Sequence, residues 1–214
     1  INRMQLLKPL DIEIDSIKPK IYLTENEISN SKQFLEKHNI NLNKKLFMIS
    51  VLGSGDNKTY PYPYMAKIID AIAKKTKGQI LFNYIPKQEA QAIAILNLCN
   101  TETKEHIKFN VFGKNLREFL AITHHCDAVI GNEGGAINMA KALNIKTFAI
   151  YSPWIDKASW NLFEDENNMS IHLKDYKPEL YTKPEKEYKK EASTLYQNFK
   201  PELFIDKIEV FLNS

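Results

Sequence analysis

Two short segments combine glycine with charged or amide side chains: GSGDNK at 53–58 and GNEGGAIN at 131–138. Of the 7 glycines in the 214-residue chain, five lie in these two segments. Glycine allows a tight backbone turn and lets N–H groups approach a ligand closely, and Lys58 would add a positive charge. Together the segments predict an anion site.

The first segment departs from both well-known phosphate-binding patterns. A Walker A loop would need glycine in place of Leu52 and Asn57, and a dinucleotide fingerprint would need glycine in place of Lys58. A tight turn with an exposed lysine is therefore an alternative interpretation of this segment.

In the second segment, Gly134 and Gly135 stand at the predicted start of a helix. The first amides of a helix have no partner within it, and together with the helix dipole they favour an anion such as a diphosphate. Each exposed dipole contact contributes only ~0.3–1 kcal/mol. A carboxylate repels phosphate, so Glu133 should face hydroxyls or a sugar. The alternative is a flexible, glycine-containing turn from strand to helix, with Glu133 as a solvated cap of the helix.

Strand and helix patterns alternate around these segments. Apolar runs predict strands near 46–52, 79–84, 107–112, 127–131 and 146–151. Helical periodicity predicts helices near 25–39, 62–76, 87–98, 115–125 and 134–144. The alternation is typical of a Rossmann-like α/β fold, a parallel sheet with helices on both faces. Both glycine segments would then follow strands at the edge where such sheets bind ligands.

The chain divides into three predicted parts. Residues 1–24 start Ile1-Asn2-Arg3-Met4 and show no clear period, so we expect a connector from a missing N-terminal domain. Residues 25–173 form the Rossmann-like domain. Residues 174–214 are predicted to be a solvated, lysine-rich connection followed by a closing amphipathic helix that Pro201 opens.

Composition excludes several classes of function. The chain has 29 basic and 26 acidic residues, a net charge of +3, and only two arginines, which argues against nucleic-acid binding. No run approaches the ~18 apolar residues of a membrane span, so no integral membrane segment is expected. Cys99 and Cys126 form no CxxC pair, which favours buried thiols in a reducing, cytoplasmic setting.

Two further groups of residues fit packing roles at least as well as chemistry. Neighbours on a helix diverge by about 100°, so His124, His125 and Cys126 cannot converge on a metal ion. Trp154 and Trp160 follow the last predicted strand, where they would close over a sugar or pack in the core.

The order of these motifs resembles the C-terminal half of the heptosyltransferases of glycosyltransferase family 9. The resemblance rests on GSGxxK, on GNEGGAINMAKAL at 131–143 and on FAIYSPW at 148–154, and it spans about residues 25–165. It implies the GT-B architecture, in which two Rossmann-like domains face each other and the C-terminal one binds the nucleotide sugar. This chain would be that second domain.

The resemblance implies a donor site built from both segments and two flanking positions. Lys58 aligns with the family's lysine that contacts the donor phosphates, and Glu89 aligns with a glutamate that binds the ribose hydroxyls. Lys114, which follows Phe112 and Gly113, aligns with the part of the family's chain that passes the adenine. Further residues line the phosphates: Ser54, Gly55, Asn57, Gly134, Gly135 and Ala136.

The chain also departs from the family's pattern. The family has Asp, then Ser or Thr, then Gly at three successive positions, and His three residues after the glycine. At these four positions this chain has Glu133, Gly134, Gly135 and Asn138. A hydroxyl donor and a chargeable imidazole are therefore lost, which leaves the sugar unassigned with heptose as the default. The family's general base, an aspartate, lies in the N-terminal domain, so no catalytic acid or base is assigned in this chain.

The resemblance implies inverting transfer without a metal cofactor. The chain would bind an ADP-sugar-type donor, and the missing domain would bring a lipid-linked oligosaccharide acceptor of the lipopolysaccharide type at the inner face of the bacterial membrane. Lys58 and the amides of 134–136 would stabilise charge on the departing diphosphate. This fragment alone would be inactive.

Two other functions remain as alternatives. The first is a non-catalytic nucleotide-sugar-binding or docking module, which the departures at Glu133 and Asn138 favour. The second is a nicotinamide-dependent enzyme, which needs an acidic residue about 20 positions after the glycine loop. Asp70 lies seventeen positions after Gly53, within a predicted helix.

Overall fold

The computed structural model describes residues 8–11, 18–161 and 163–213. Parallel strands form one sheet in the order β2-β1-β3-β4-β5. The strands are β1 (Leu46–Ser50), β2 (Gln79–Asn83), β3 (Ala128–Asn132), β4 (Lys146–Ile150) and β5 (Asn168–Ile171).

Helices precede, connect and follow the strands. Those before β4 are α1 (Glu25–Lys37), α2 (Tyr62–Thr76), α3 (Glu89–Leu98), α4 (Thr101–His106), α5 (Leu116–Thr123) and α6 (Gly135–Ala142). Those after it are α7 (Lys157–Trp160), α8 (Glu185–Tyr188), α9 (Ala192–Asn198) and α10 (Ile205–Asn213).

Successive side chains of each strand point to opposite faces of the sheet. Phe47 and Ile49 of β1 join a core built with α2, α3, α9 and α10. Leu46 and Met48 join a second core, built with α1, α5 and α6. Helices therefore cover both faces of the sheet, and the predicted Rossmann-like α/β fold is confirmed.

The predicted strand at 107–112 is wrong. Ile107 forms one isolated parallel bridge with Ile80, and the backbone then turns, with the Val111 N–H donating to the Lys108 carbonyl at 3.0 Å. The apolar side chains that gave the pattern are packed without continuous strand pairing. The Phe109 ring centroid lies 5.1 Å from that of Tyr84, and Ile107 and Val111 are buried in the first and the second core, respectively.

The fifth strand of the sheet, β5, was not predicted. β5 has only four residues, and its first, Asn168, is buried. Its amide is satisfied by hydrogen bonds to Thr147 at 3.2 Å and to Asp165 at 2.8 Å. Such a short and partly polar strand has no clear apolar alternation. The short helix α4 was not predicted either.

The prediction of a solvated connection after residue 174 is wrong for its aromatic residues. Tyr188, Tyr196 and Phe199 are buried in the first core. The Tyr60 hydroxyl donates to the Phe199 carbonyl at 2.5 Å, which fixes the segment to the domain. The closing helix α10 begins at Ile205, after a 3₁₀ turn at Pro201–Leu203.

Much of the predicted connector at 1–24 lies outside the described residues. Of its described part, Ile21 donates its N–H to the Ala142 carbonyl at 2.9 Å, at the end of α6. Thr24 caps α1 in a capping box with Glu27, which explains why that helix begins at residue 25. The three-part division of the chain stays a prediction.

Candidate functional site

The strand order reverses between β1 and β3. From β1 the chain moves to β2 on one side, and β3 then pairs with β1 on the other. Open α/β sheets bind ligands in the crevice at such a reversal, beyond the carboxyl ends of the strands. The first segment, 53–58, follows β1, and the second, 131–138, begins in the last two residues of β3 and continues beyond it. The structure thus brings the two glycine segments together at this edge, as predicted.

The first segment is a compact loop closed by its own backbone. The Lys58 N–H donates to the Gly55 carbonyl at 2.9 Å, and the Thr59 hydroxyl accepts from Gly53 N–H at 3.0 Å. A Cβ on Gly53 would lie 2.2 Å from the Lys58 carbonyl oxygen, so only glycine fits. Ser54 and Gly55 are exposed at the loop's tip, where their polar groups are open to a ligand.

Residues that follow β4 hold this loop in place. The Asn57 carbonyl accepts from the Ser152 hydroxyl and from the Trp154 indole N–H, each at 2.7 Å. The Lys58 ammonium lies 5.6 Å from the centroid of the Trp154 ring. Trp154 is therefore partly buried and braces the lysine loop, whereas Trp160 is 64% exposed and takes no part.

Asn132, the last residue of β3, joins the two strands at the reversal point. Its buried amide donates to the Ser50 carbonyl at 2.9 Å and accepts from the Tyr60 N–H at 2.7 Å. Gly131, just before it, has φ +127°, and a Cβ there would lie 2.5 Å from the Ser50 carbonyl oxygen. Sequence reasoning missed the role of Asn132, although an amide that ends an apolar strand was a usable signal.

The second segment presents helix amides to the same crevice. Gly134 has φ +150°, and a Cβ on it would meet nothing within 4 Å, so the turn faces open space. α6 begins at Gly135, and the first described bond back to this turn comes from the Asn138 N–H to the Gly134 carbonyl at 3.1 Å. The amides of Gly135 and Ala136 therefore have no partner within the helix.

Lys58 and Glu133 form an ion pair between the two segments. Their side chains approach to 3.8 Å and are 32% and 12% exposed, respectively. Burial raises the pKa of Glu133 above its usual value, and the Lys58 ammonium opposes this shift. The Glu133 Oε1 atom has no hydrogen-bond partner among the described residues. The solvated-cap interpretation of Glu133 is thus wrong, and the site holds a buried carboxylate beside its lysine.

The sequence model described as glycosyltransferase family 9 (heptosyltransferase) matches residues 2–189. This chain belongs to glycosyltransferase family 9. The resemblance identified from the two glycine segments is therefore confirmed. No curated protein matches the chain.

Solved structures of family 9 proteins share the fold. A family 9 glycosyl transferase from Veillonella parvula superimposes with a TM-score of 0.66 at 15% identity, covering 91% of this chain and 58% of its own. Escherichia coli ADP-heptose lps heptosyltransferase II gives 0.58 at 16% identity, covering 88% of this chain and 56% of its own. The family 9 chain described here thus spans less than two thirds of the length of either protein.

Two further candidate residues of the family 9 chain, Glu89 and Lys114, lie at the same edge but make no described contact with the Lys58–Glu133 pair. Glu89 begins α3 and is exposed, and its charge adds to burial in raising the pKa of Tyr84. Its neighbour Gln88 donates to the Gly53 carbonyl at 2.9 Å, which ties the β2–α3 loop to the first segment. Lys114 is exposed before α5, and no described contact joins it to Lys58.

The remaining titratable candidates have structural partners. Cys99 and Cys126 are buried thiols that form no disulfide, as predicted. The His125 ring lies 2.9 Å from the Ser31 hydroxyl. Asp70 accepts at 3.0 Å from the N–H of Asn100, the residue before α4. In the described ranges no three His, Cys, Asp or Glu side chains are grouped to hold a metal, and no helix is long and apolar enough to cross a membrane.

Proposed function

We propose that this chain is the donor-binding half of a sugar-transferring enzyme and holds a nucleoside diphosphate sugar in the β1/β3 crevice. The observation that carries the proposal is that Lys58, paired with Glu133 just before α6, and the free first amides of α6 follow the two strands between which the strand order reverses. A lysine and a helix N-terminus together favour a diphosphate over a single carboxylate.

The proposed roles follow from what each group can donate or accept. Lys58 and the amides of 134–136, with Ser54, Gly55 and Asn57 beside them, stabilise the negative charge that develops on the departing diphosphate. Transfer inverts the configuration at the anomeric carbon of the sugar and needs no metal ion. Glu89 accepts from the ribose hydroxyls, and Lys114 lies toward the base. The general base and the acceptor come from a second domain.

Glu133 and Asn138 complete the proposed donor site on the sugar side. A buried carboxylate next to a diphosphate is repulsive, so Glu133 accepts from sugar hydroxyls while Lys58 turns from it toward the phosphates. Asn138 is exposed on the first turns of α6 and offers an amide that can donate and accept. The ADP-heptose in the name of the E. coli protein supports an ADP-sugar as donor, and a lipid-linked saccharide is the proposed acceptor.

Isothermal titration of the 214-residue chain with ADP and with ADP-sugars tests the proposal. Lys58→Ala should weaken ADP binding about tenfold or more, which is the loss of one charge-assisted contact of roughly 1.5–3 kcal/mol. Lys44→Ala is the matched control, because Lys44 is exposed just before β1, at the opposite edge of the sheet. Absence of ADP binding at millimolar concentration, or equal losses in the two variants, would overturn the donor site.

A non-catalytic binding module is the second candidate. It is favoured by Gly134 and Asn138, which replace the hydroxyl and imidazole that the family's pattern places there, and by the Lys58–Glu133 pair, which neutralises the lysine. A protein that carries this chain together with its second domain separates the two functions. Transfer or hydrolysis of an ADP-sugar by that protein rejects the module, whereas tight binding without turnover supports it.

A further inference from the structure

A second cleft lies next to the proposed donor site, on the far side of Trp154. It has a volume of about 400 Å³ and opens between the loop after β4 and the segment that follows β5. Lining residues include Trp154, His172, Asp175, Tyr181, Glu185 and Tyr188. The volume lies within the ~300–1,000 Å³ of small-molecule sites. The residues after 174, expected from the sequence to be a solvated connection, therefore build one wall of a cleft.

Aromatic and neutral rings form the apolar part of this wall. The rings of Tyr181 and Tyr188 are 5.0 Å apart, and that of His172 is 5.5 Å from Tyr181. Burial lowers the pKa of His172 to about 4, so the imidazole is neutral at physiological pH. Its Nδ1 accepts from the Lys174 N–H at 3.0 Å. The partly exposed rings of Tyr181 and Trp154 thus offer flat, uncharged surfaces to a ligand, and the buried rings of His172 and Tyr188 back the wall.

Four of the seven charged side chains that line the cleft form ion pairs, three with one another and one, Lys183, with Glu191 outside the lining. Lys157 contacts Asp175 at 3.1 Å and Glu164 at 3.7 Å, and Lys183 contacts Glu191 at 2.6 Å. Asp175 Oδ2 also accepts from the His172 N–H at 3.0 Å. Asp175 Oδ1 forms no hydrogen bond or ion pair within the described part of the chain. This carboxylate is therefore held through Oδ2, with Oδ1 left to accept from a ligand.

Charge and shape together select the class of ligand. The lining carries four carboxylates and three lysines, so it disfavours phosphates and other anions. A purely apolar ligand would strip water from these paired charges without replacing its hydrogen bonds. A sugar ring has C–H faces that can lie on aromatic rings and hydroxyls that can both donate and accept.

We propose that this cleft binds a neutral pyranose unit, as a carbohydrate subsite separate from the donor diphosphate site. Because Trp154 lines the cleft and also bonds to the Asn57 carbonyl of the lysine loop, a sugar held there lies beside the donor. That this sugar is a unit of the acceptor, which the second domain brings to the donor, rests on the proposed function. The binding of the sugar itself does not depend on it.

The test follows the Trp154 indole N–H by ¹⁵N NMR in the 214-residue chain carrying Trp160→Phe. Methyl α-D-mannopyranoside and methyl β-D-galactopyranoside are the neutral probes, and inorganic phosphate is the anionic one. At least one glycoside should give a saturable shift with a Kd of about 1–50 mM, and phosphate should not compete with it. Asp175→Asn should weaken glycoside binding about tenfold, whereas Glu36→Gln, an exposed carboxylate on α1, should not.

Several results would overturn the subsite. They are the absence of a saturable shift for both glycosides at about 200 mM, displacement of the bound glycoside by phosphate, or an equal loss in Asp175→Asn and Glu36→Gln. If Asp175→Asn fails to fold, Glu185→Gln on the exposed rim should weaken binding about threefold, and unchanged binding there counts against the proposal.

An ADP titration of the same sample separates the two proposals. Glycoside binding that persists in Lys58→Ala, with ADP binding lost, supports both sites. Glycoside binding without any ADP binding in the unsubstituted chain refutes only the donor site. Glycoside binding that Lys58→Ala abolishes, or that ADP displaces, places the sugar in the donor crevice and overturns the separate subsite.

Discussion

Replacing Glu133 by glutamine removes the carboxylate that competes with a diphosphate for Lys58 and keeps nearly the same side-chain shape. At their separation of 3.8 Å, the two charges interact by about 1 kcal/mol at the dielectric constant of water and by about 4 kcal/mol at an effective value near 20. The Lys58 side chain is 32% exposed, so solvent screening favours the lower figure. Glu133→Gln should therefore strengthen ADP binding about fivefold, which corresponds to about 1 kcal/mol.

The pH dependence of ADP binding gives this prediction a second readout. Burial raises the pKa of Glu133, so the wild-type carboxylate takes up a proton as the pH falls toward its raised pKa. Wild-type affinity should then approach that of Glu133→Gln on acidification. The terminal phosphate of ADP itself titrates near pH ~6, which is why the two proteins are compared at each pH. Calorimetric affinities that are equal at neutral pH, or a gap that widens on acidification, would refute the reasoning.

The same substitution should change folding stability in a defined direction. A group whose pKa is raised by folding contributes stability that is present below its ordinary pKa and is lost as the pH rises through the folded value. At neutral pH the ionised, buried Glu133 therefore lowers stability, and Glu133→Gln should unfold at higher urea concentration than wild type. The difference should vanish near pH ~4, below the ordinary glutamate pKa.

Three further substitutions test other parts of the structure. Gly131→Ala should cost about 3 kcal/mol or more in urea unfolding, because its Cβ would lie 2.5 Å from the Ser50 carbonyl oxygen at a φ of +127°; an unfolding midpoint like that of wild type would contradict this. Tyr60→Phe should cost about 1–3 kcal/mol, since it leaves a buried carbonyl unpaired, and a loss below the error of the urea curve would contradict it. Lys189→Ala should weaken ADP binding about twofold at low salt and less at high salt, because the Lys189 ammonium lies 5.3 Å from the Trp154 ring centroid beside the site. Lys190→Ala is the control, and equal effects of the two substitutions would contradict a role of Lys189 near the donor site.

The elements that the sequence predicts well are those whose burial is regular. In α2, apolar residues recur every three or four positions from Met65 to Ala73, and the observed helix has the predicted bounds, 62–76. The strand runs of β1 and β3 are buried along their whole length, which produces continuous apolar stretches. At 107–112 a similar run packs without continuous strand pairing, and a hydrophobic pattern alone does not distinguish the two cases.

The candidate site was predictable in position but not in its internal contacts. Parallel strands end at one edge, so two glycine segments that follow adjacent strands must be neighbours. Asn132 bonds to Tyr60 and to Ser50, which lie 72 and 82 positions away from it in the sequence. The Lys58–Glu133 ion pair depends on how both loops fold. No local spacing encodes such contacts. The buried state of Glu133, which changes what this carboxylate can do, therefore came only from the structure.

Residues after β4 and after α9 hold the lysine loop and the tyrosine that follows it. Ser152 and Trp154, after β4, bond to the Asn57 carbonyl, and the Phe199 carbonyl, after α9, accepts from Tyr60 just past the loop. These contacts span 95 to 139 residues of sequence. An exposed glycine loop would otherwise sample many conformations, and ordering it would cost binding free energy. The C-terminal segment thus preorganises the site, so shortening the chain before α9 should impair donor binding even though every candidate donor residue would remain.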